Sequence, residues 1–124
     1  MTNLERALDI VKMSNEGQMF EALTKYYHED SVKVEGTGDV TEGLAANIEF
    51  HKEWAAGIKE MHDSGVTAAA ENPETGVVIV ESWADLTFQD GSRIKMEEVE
   101  VQKWEDGKIK HIRFYYDTRG MGEG

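Results

Sequence analysis

The stretch WEDGKIKHIRFYYD, residues 104–117, decides how this chain is read. Asp106-Gly107 lies between two runs of β character, and glycine tolerates the positive φ that a tight hairpin turn needs. A strand–turn–strand unit is therefore predicted. With a period of two, one face of 109–117 carries Ile109, His111, Arg113, Tyr115 and Asp117, and the other carries Lys110, Ile112, Phe114 and Tyr116. An ordinary solvated strand face has no need to gather an imidazole, a guanidinium, a phenol and a carboxylate in one row. Either such a row lines a polar cavity, or it forms the wet face where two subunits' sheets meet, with Arg113 bridging carboxylates. The interface is the preferred reading, because interfaces commonly use Arg and Tyr.

Upstream, NPETG at 72–76 and QDGS at 89–92 are turn signals, and they delimit strands over 66–71, 77–88 and 93–104. Val78, Val80, Ser82, Ala84, Leu86 and Phe88 make the core face of the long strand, while Glu81, Trp83, Asp85 and Thr87 make a mixed opposite row. The first half of the chain is helical. Thr2-x-x-Glu5 reads as a capping box, and Leu4, Ala7, Leu8 and Val11 follow at helical spacing, predicting a helix over 2–14. Asn15-Glu16-Gly17 ends it, and a second helix over 19–27 presents Phe20, Leu23 and Tyr27. SVKVE at 31–35 alternates as a short strand, GTGDVTEG at 36–43 reads as a loop, and a longer helix runs from 41–42 to 62. Its apolar line is Leu44, Ile48, His51, Ala55 and Ile58, with Phe50, Trp54 and Met61 beside it. Helices followed by an antiparallel meander predict one α+β domain over 1–124: three helices packed on a strongly curved antiparallel sheet, with 118–124 as a flexible tail. The curve leaves an open mouth, and the sheet face away from the helices needs cover, which suggests a homodimer.

Composition narrows the function. At 124 residues the chain is long enough to hide roughly two-thirds of its unfolded surface. It has no cysteine, which excludes disulfides, thiolate chemistry and cysteine-held metals. Thirteen basic and 25 acidic residues give a net charge of −12, which repels phosphate backbones, so no nucleic-acid partner is expected. No apolar run approaches the length of a membrane span, and the N-terminus lacks an apolar signal core, so no membrane association and a cytoplasmic location are expected.

The EG before Leu44, the DGKI turn and the closing YYD resemble the nuclear-transport-factor-2-like superfamily, in particular its SnoaL-like polyketide cyclase and ketosteroid isomerase branch. The resemblance covers about 4–117 and implies a cone-shaped fold whose cavity takes a small, mostly apolar molecule, usually in a homodimer. The branch includes isomerases, cyclases, dehydratases and epoxide hydrolases, along with members of no known activity, so the fold alone does not fix the chemistry. Carried over residue by residue, the general base of the steroid isomerases falls on Glu35 in VKVEG, and their protonated acid falls on Glu100, nine residues past Gly91. Their helix-one tyrosine falls at about Ile10, which leaves that oxyanion hole half built. The Arg-x-Asp pair of the epoxide hydrolases is replaced by Arg93-x-Lys95, and Asp117 is only a loose counterpart of the late cyclase aspartate.

Two carboxyls in a dry pocket can transfer protons, because burial raises a carboxylic pKa toward neutrality. Glu35 ionised and Glu100 protonated would remove a proton α to a carbonyl and hydrogen-bond the enolate; alternatively both are solvated strand residues. His51 is either a core imidazole bonded to a strand or a pocket donor to a ligand oxygen. Tyr27, Trp54 and Trp83, with Tyr26, are core or cavity wall. The histidines are dispersed and EFHKE is not HExxH, so no metal is expected, and no cofactor motif is present. The sequence therefore predicts a small-molecule-binding cone, either a cofactor-independent isomerase or cyclase on an apolar carbonyl compound, or a non-catalytic ligand-binding or dimerisation module.

Overall fold

The computed structural model describes residues 1–119, which form three helices and six strands. Helix α1 (Asn3–Asn15) starts where the capping box places it. Thr2 Oγ1 accepts from the Glu5 amide at 3.0 Å, and Glu5 Oε1 accepts from the Thr2 amide at 2.7 Å. Helix α2 (Met19–Tyr26) turns its buried Ala22, Leu23 and Tyr26 inward. Strand β1 (Tyr27–Val34) follows directly, then a short β2 (Val40–Glu42), helix α3 (Leu44–Ala56), and the long strands β3 (Ile58–Glu71), β4 (Val78–Phe88), β5 (Arg93–Glu105) and β6 (Lys108–Tyr115).

The strands form one open sheet in the order β2-β1-β6-β5-β4-β3. Neighbours are antiparallel except β1 and β6, which pair in parallel through Val32–His111, Lys33–Ile112 and Val34–Arg113. The sheet is thus mixed rather than wholly antiparallel, because β1 enters beside the last strand after α2 instead of through a hairpin. Asp106 (φ 51°) and Gly107 (φ 78°) form the turn expected between β5 and β6, both left-handed as such hairpins require.

The register separates two faces. Val80 opposes Glu100, Ser82 opposes Glu98 and Ala84 opposes Met96; Glu100 in turn opposes Phe114, and Gln102 opposes Ile112. These residues form the concave face. Helices α1 and α2 fill one end of it, packing Ile10, Ala22, Leu23 and Tyr26 against Tyr27 of β1 and Ile109 and Ile112 of β6, and Ala7 packs on Val78 and Val80. Helix α3 crosses the rest and buries only Asn47, whose Nδ2 donates to the carbonyls of Gly43 (2.8 Å) and Ser31 (3.3 Å).

Two expected boundaries are corrected. Helix α3 ends at Ala56, and residues 58–62, read as its last turns, are instead the start of β3, where Ile58 pairs with Phe88 and Met61 with Leu86. Ile58 and Met61 fit helical spacing and strand burial equally well, and the sheet edge decides between them. Within 36–43, read as a loop, 40–42 form β2 against Val32–Val34. The expected tail overlaps the described chain only at Thr118 and Arg119; 120–124 lie outside the described residues.

Trp83 belongs to the convex row, opposite Glu97 and Gly65. A Cβ built on Gly65 would lie 2.8 Å from Trp83 Nε1, so the indole occupies the space that a side chain there would need, and Lys95 Nζ sits 4.9 Å from the ring centroid. Gly65→Ala is expected to cost about 1–3 kcal/mol by overpacking, with the tryptophan emission shifted. Urea titration monitored by fluorescence checks this; an unchanged midpoint would mean that the indole moves aside freely.

Candidate functional site

Where α3 does not seal the concave face, two adjoining cavities open, of about 370 Å³ and 840 Å³. His51, Met61, Ser82, Ala84, Glu98 and Phe114 border both, so they form one cone with a narrower and a wider part. The narrower part is walled by Phe50 and Trp54 of α3, Leu86 of β4 and Met96 of β5, and Trp54 meets Phe88 edge-on at 5.6 Å. The wider part runs toward α1 and takes in Ile10, Tyr27, Glu100 and Gln102.

A row of polar groups crosses this apolar lining. Strand β1 alternates, so Lys33 points into the cone, and Glu35, just past the strand's end, lines it as well. Lys33 is only 1% exposed, and its Nζ lies 3.4 Å from Glu35 Oε1 and 3.0 Å from the Phe50 ring centroid. Tyr116 Oη donates to Glu35 Oε2 at 3.2 Å. Desolvation pulls the Lys33 ammonium down to about 8, with Glu35 opposing the shift. Desolvation also takes His51 down to about 4, helped by the Lys33 charge, so the imidazole is neutral; its Nε2 is buried without a partner.

On β5, Glu98 and Glu100 share one face. Glu98 is pushed up to about 7, chiefly by desolvation and then by the charges of Glu100 and Glu35, with Lys33 pulling the other way. Burial raises Glu100 too, although Gln102 Nε2 donates to its Oε2 at 2.8 Å; Gln102 is itself held by Trp104 Nε1 at 3.0 Å. Burial lifts the Tyr27 phenol, with Glu100 and Glu35 adding to the effect. The cone therefore holds an ammonium, a neutral imidazole and carboxyls that keep protons to unusually high pH. That is equipment for proton transfer on an apolar guest.

The structure brings Glu35, His51 and Trp54 to the narrower part of the cone, and Glu100 and Tyr27 to the wider part, with Glu98 between them. Trp83 borders both parts, and its indole also packs over Gly65 beside Lys95. Ile10, near which the resemblance would put the steroid isomerases' tyrosine, is buried among the helices, and the Tyr27 side chain borders the same cavity. Sequence reading passed over Lys33, Glu98 and Tyr116. Parity carried the signal for each: Lys33 is two residues from Glu35, Glu98 two from Glu100, and Tyr116 two from Phe114. Among the described residues no group of three or more His, Asp or Glu side chains is placed to hold a metal ion.

Comparison with known proteins adds to this geometry. The family model of the SnoaL-like domain matches residues 1–116. No curated protein matches the chain. Among solved structures, a candidate SnoaL-like polyketide cyclase from Mesorhizobium loti is 28% identical, with a TM-score of 0.81 over 94% of this chain and 100% of that one. A candidate isomerase from Bacillus subtilis is 19% identical, with a TM-score of 0.80 over 100% and 98%. TerC, co-crystallised with polyporic acid, is 20% identical, with a TM-score of 0.79 over 96% and 94%. The last two likenesses are of fold alone.

The raised Glu98 carboxyl makes stability depend on pH. An ordinary glutamate titrates near 4.5 and burial pushes Glu98 up to about 7, so the native state holds that proton more tightly. Its contribution is intact below about 4.5 and is lost as pH rises through about 7. His51, depressed from 6.5 to about 4, runs the other way, adding stability as pH rises from 4 to 6.5. A variant comparison isolates the first effect. Glu98→Gln is expected to match the wild type near pH 5 and to exceed it by on the order of 2 kcal/mol near pH 8. Urea melts at the two pH values measure the difference, and an equal gap at both would place Glu98 in solvent.

Proposed function

The chain belongs to the SnoaL-like domain family, and from that premise we propose that its cone binds a small, mostly apolar carbonyl compound and moves a proton on it without a cofactor, as an isomerase or cyclase would. Glu35 is the base that removes the proton α to the carbonyl. The Glu98–Glu100 pair supplies the protonated acid that hydrogen-bonds the developing enolate, Glu100 being the member matched by the family pattern. Two buried carboxyls on one strand face resist double ionisation, so one of them keeps its proton at neutral pH. Tyr27, His51 and Trp54 shape the guest's surroundings. The observation that carries this reading is the desolvated carboxyl row facing an apolar cavity of several hundred Å³, a size typical of small-molecule sites. The neighbour co-crystallised with polyporic acid supports an organic guest as the class.

Proton exchange tests this without knowledge of the natural substrate. In deuterium oxide, the wild type is expected to exchange the α-hydrogens of apolar ketones, followed by NMR, and Glu35→Gln to lower that rate about 10²-fold or more while thermal stability stays close to wild type. Ligand binding without any exchange would favour the non-catalytic binding module, which the buried Ile10 in place of a helix-one phenol already favours over a steroid-isomerase oxyanion hole.

The convex face supports a homodimer. Ile79 (48% exposed) pairs with Val101, and Val99 pairs with Tyr115 (50% exposed), giving an apolar strip; the Arg113 guanidinium carbon lies 5.0 Å from the Tyr115 ring centroid. Glu81 and Glu97 flank the strip and could accept a partner's Arg113. Asp117, expected to share in the contact, is engaged instead by Arg119 of its own chain at 2.7 Å. Arg113→Glu is expected to shift the protein from dimer to monomer in sedimentation velocity, and a wild-type monomer at micromolar concentration sinks the assignment. Among the described residues no helix is long and apolar enough to cross a membrane, and the acidic charge argues against nucleic acid.

A further inference from the structure

We propose that Lys33 is an imine-forming amine: Nζ condenses with the carbonyl carbon of an unhindered aldehyde or ketone held in the narrower part of the cone, and the Glu98 carboxyl handles the protons. The inference rests on the reading that the cone admits a carbonyl compound, and goes beyond it by making the complex covalent.

Lys33 is the largest fully buried side chain among the described residues. Lysines are almost never fully buried unless paired, and this one is paired loosely. The 3.4 Å separation from Glu35 Oε1 exceeds the 2.7–2.9 Å of a tight charge-assisted bond. An ion pair of that length repays little of the desolvation cost, so pairing alone is a poor reason to bury the group. The amine borders an apolar cavity of about 370 Å³, together with Glu98, His51 and Tyr116, which can carry protons. Its depressed pKa of about 8 provides a nucleophilic fraction near neutrality, and a Glu98 near 7 can both donate and accept there.

The step balances without any further reagent. The neutral amine adds to the carbonyl carbon: a C–N bond forms, the C=O π pair moves to oxygen, and the proton that nitrogen sheds passes to that oxygen, giving a neutral carbinolamine. Protonation of that hydroxyl by Glu98 breaks the C–O bond and releases water, leaving an iminium. The iminium keeps the single positive charge of the ammonium, so the Phe50 face, 3.0 Å from Nζ, and the Glu35 carboxylate stabilise it as they stabilise the resting lysine. The iminium then draws electrons from the adjacent carbon, and Glu35 stands within reach of the α-hydrogen. An enamine formed this way develops no oxyanion, so the route does not need the phenol that Ile10 replaces.

The test treats the full chain at about pH 8 with benzylacetone and sodium cyanoborohydride, followed by peptide mass mapping. Lys33 is expected to be reductively alkylated about tenfold or more over any exposed lysine, since its neutral fraction is roughly 10²-fold larger. Pentane-2,4-dione is expected to give the ultraviolet absorption of an enaminone, and Lys33→Arg to lose both signals. Glu35→Gln is expected to keep the adduct while losing α-exchange. Mapping the wild type needs no variant to fold. Adducts spread over surface lysines with no excess at Lys33 overturn the proposal. Benzylacetone binding by saturation-transfer NMR separates the two failures: binding without a Lys33 adduct overturns the imine alone, and no binding with no adduct overturns the imine and the carbonyl-binding reading together.

Discussion

Everything in this molecule depends on a mismatch of coverage: a six-stranded concave face is wider than the three helices laid on it. Helices α1 and α2 seal one end with aliphatic and aromatic side chains. Helix α3, anchored by the buried Asn47 and by half-buried Leu44 and Ile48 against the core, bridges the other end without filling it. A sheet with a right-handed twist that curls around so little helix must leave either a void or a ligand space. The parallel β1–β6 pairing fixes which residues face that space, because it draws the inner row of β1 across from the inner row of β6. Had β1 paired one residue out of register, Val32 and Val34 would line the cone and Lys33 would be in water.

From that geometry the electrostatics follow. A chain with net charge −12 can place acids almost anywhere in solvent at little cost, so the burial of Glu98 and Glu100 is not a consequence of crowding. Each is desolvated; Glu98 also feels the charges of Glu100 and Glu35, with Lys33 pulling the other way, while Glu100 is held by Gln102. Glu98 and Glu100 rise, and Lys33 and His51 fall, each toward its neutral form. A cavity that neutralises its own polar lining suits a guest with a dipole and no charge, which is the character of a carbonyl compound.

The sequence made the frame legible because its signals were local. The capping box, the α1–α2 break and the Asp106-Gly107 turn each rest on a few adjacent residues, and each stands where the spacing puts it. What escaped was whatever neighbours in space decide. Residues 58–62 satisfy a helical stripe and a strand pattern alike, and only β4 lying alongside makes them strand. The three residues at 40–42 are strand only because β1 is beside them. In the site, Glu35 and Glu100 were reached through family pattern, whereas Lys33 and Glu98 needed nothing but the period of two applied to the same strands. A lysine between two valines reads as surface, and that expectation outweighed the parity. Trp83 sits in the mixed row, which alternation alone leaves open between cavity and interface, and it borders both the cone and the outer face.

The loss of the helix-one phenol can be understood on the same terms. A tyrosine on α1 would have to reach the carbonyl oxygen through the wider part of the cone, over Tyr27 and Gln102. With Ile10 there, α1 instead closes the core against α2 and β6. Polar groups gather instead near β1, where Lys33, Glu35 and Tyr116 meet beside Phe50. The proposed amine route and an oxyanion route differ in the charge that the cone must tolerate. An enolate would add a negative charge to a lining already rich in carboxyls, whereas an iminium adds none beyond that of Lys33 itself. In so acidic a cone the second arrangement is electrostatically the easier one.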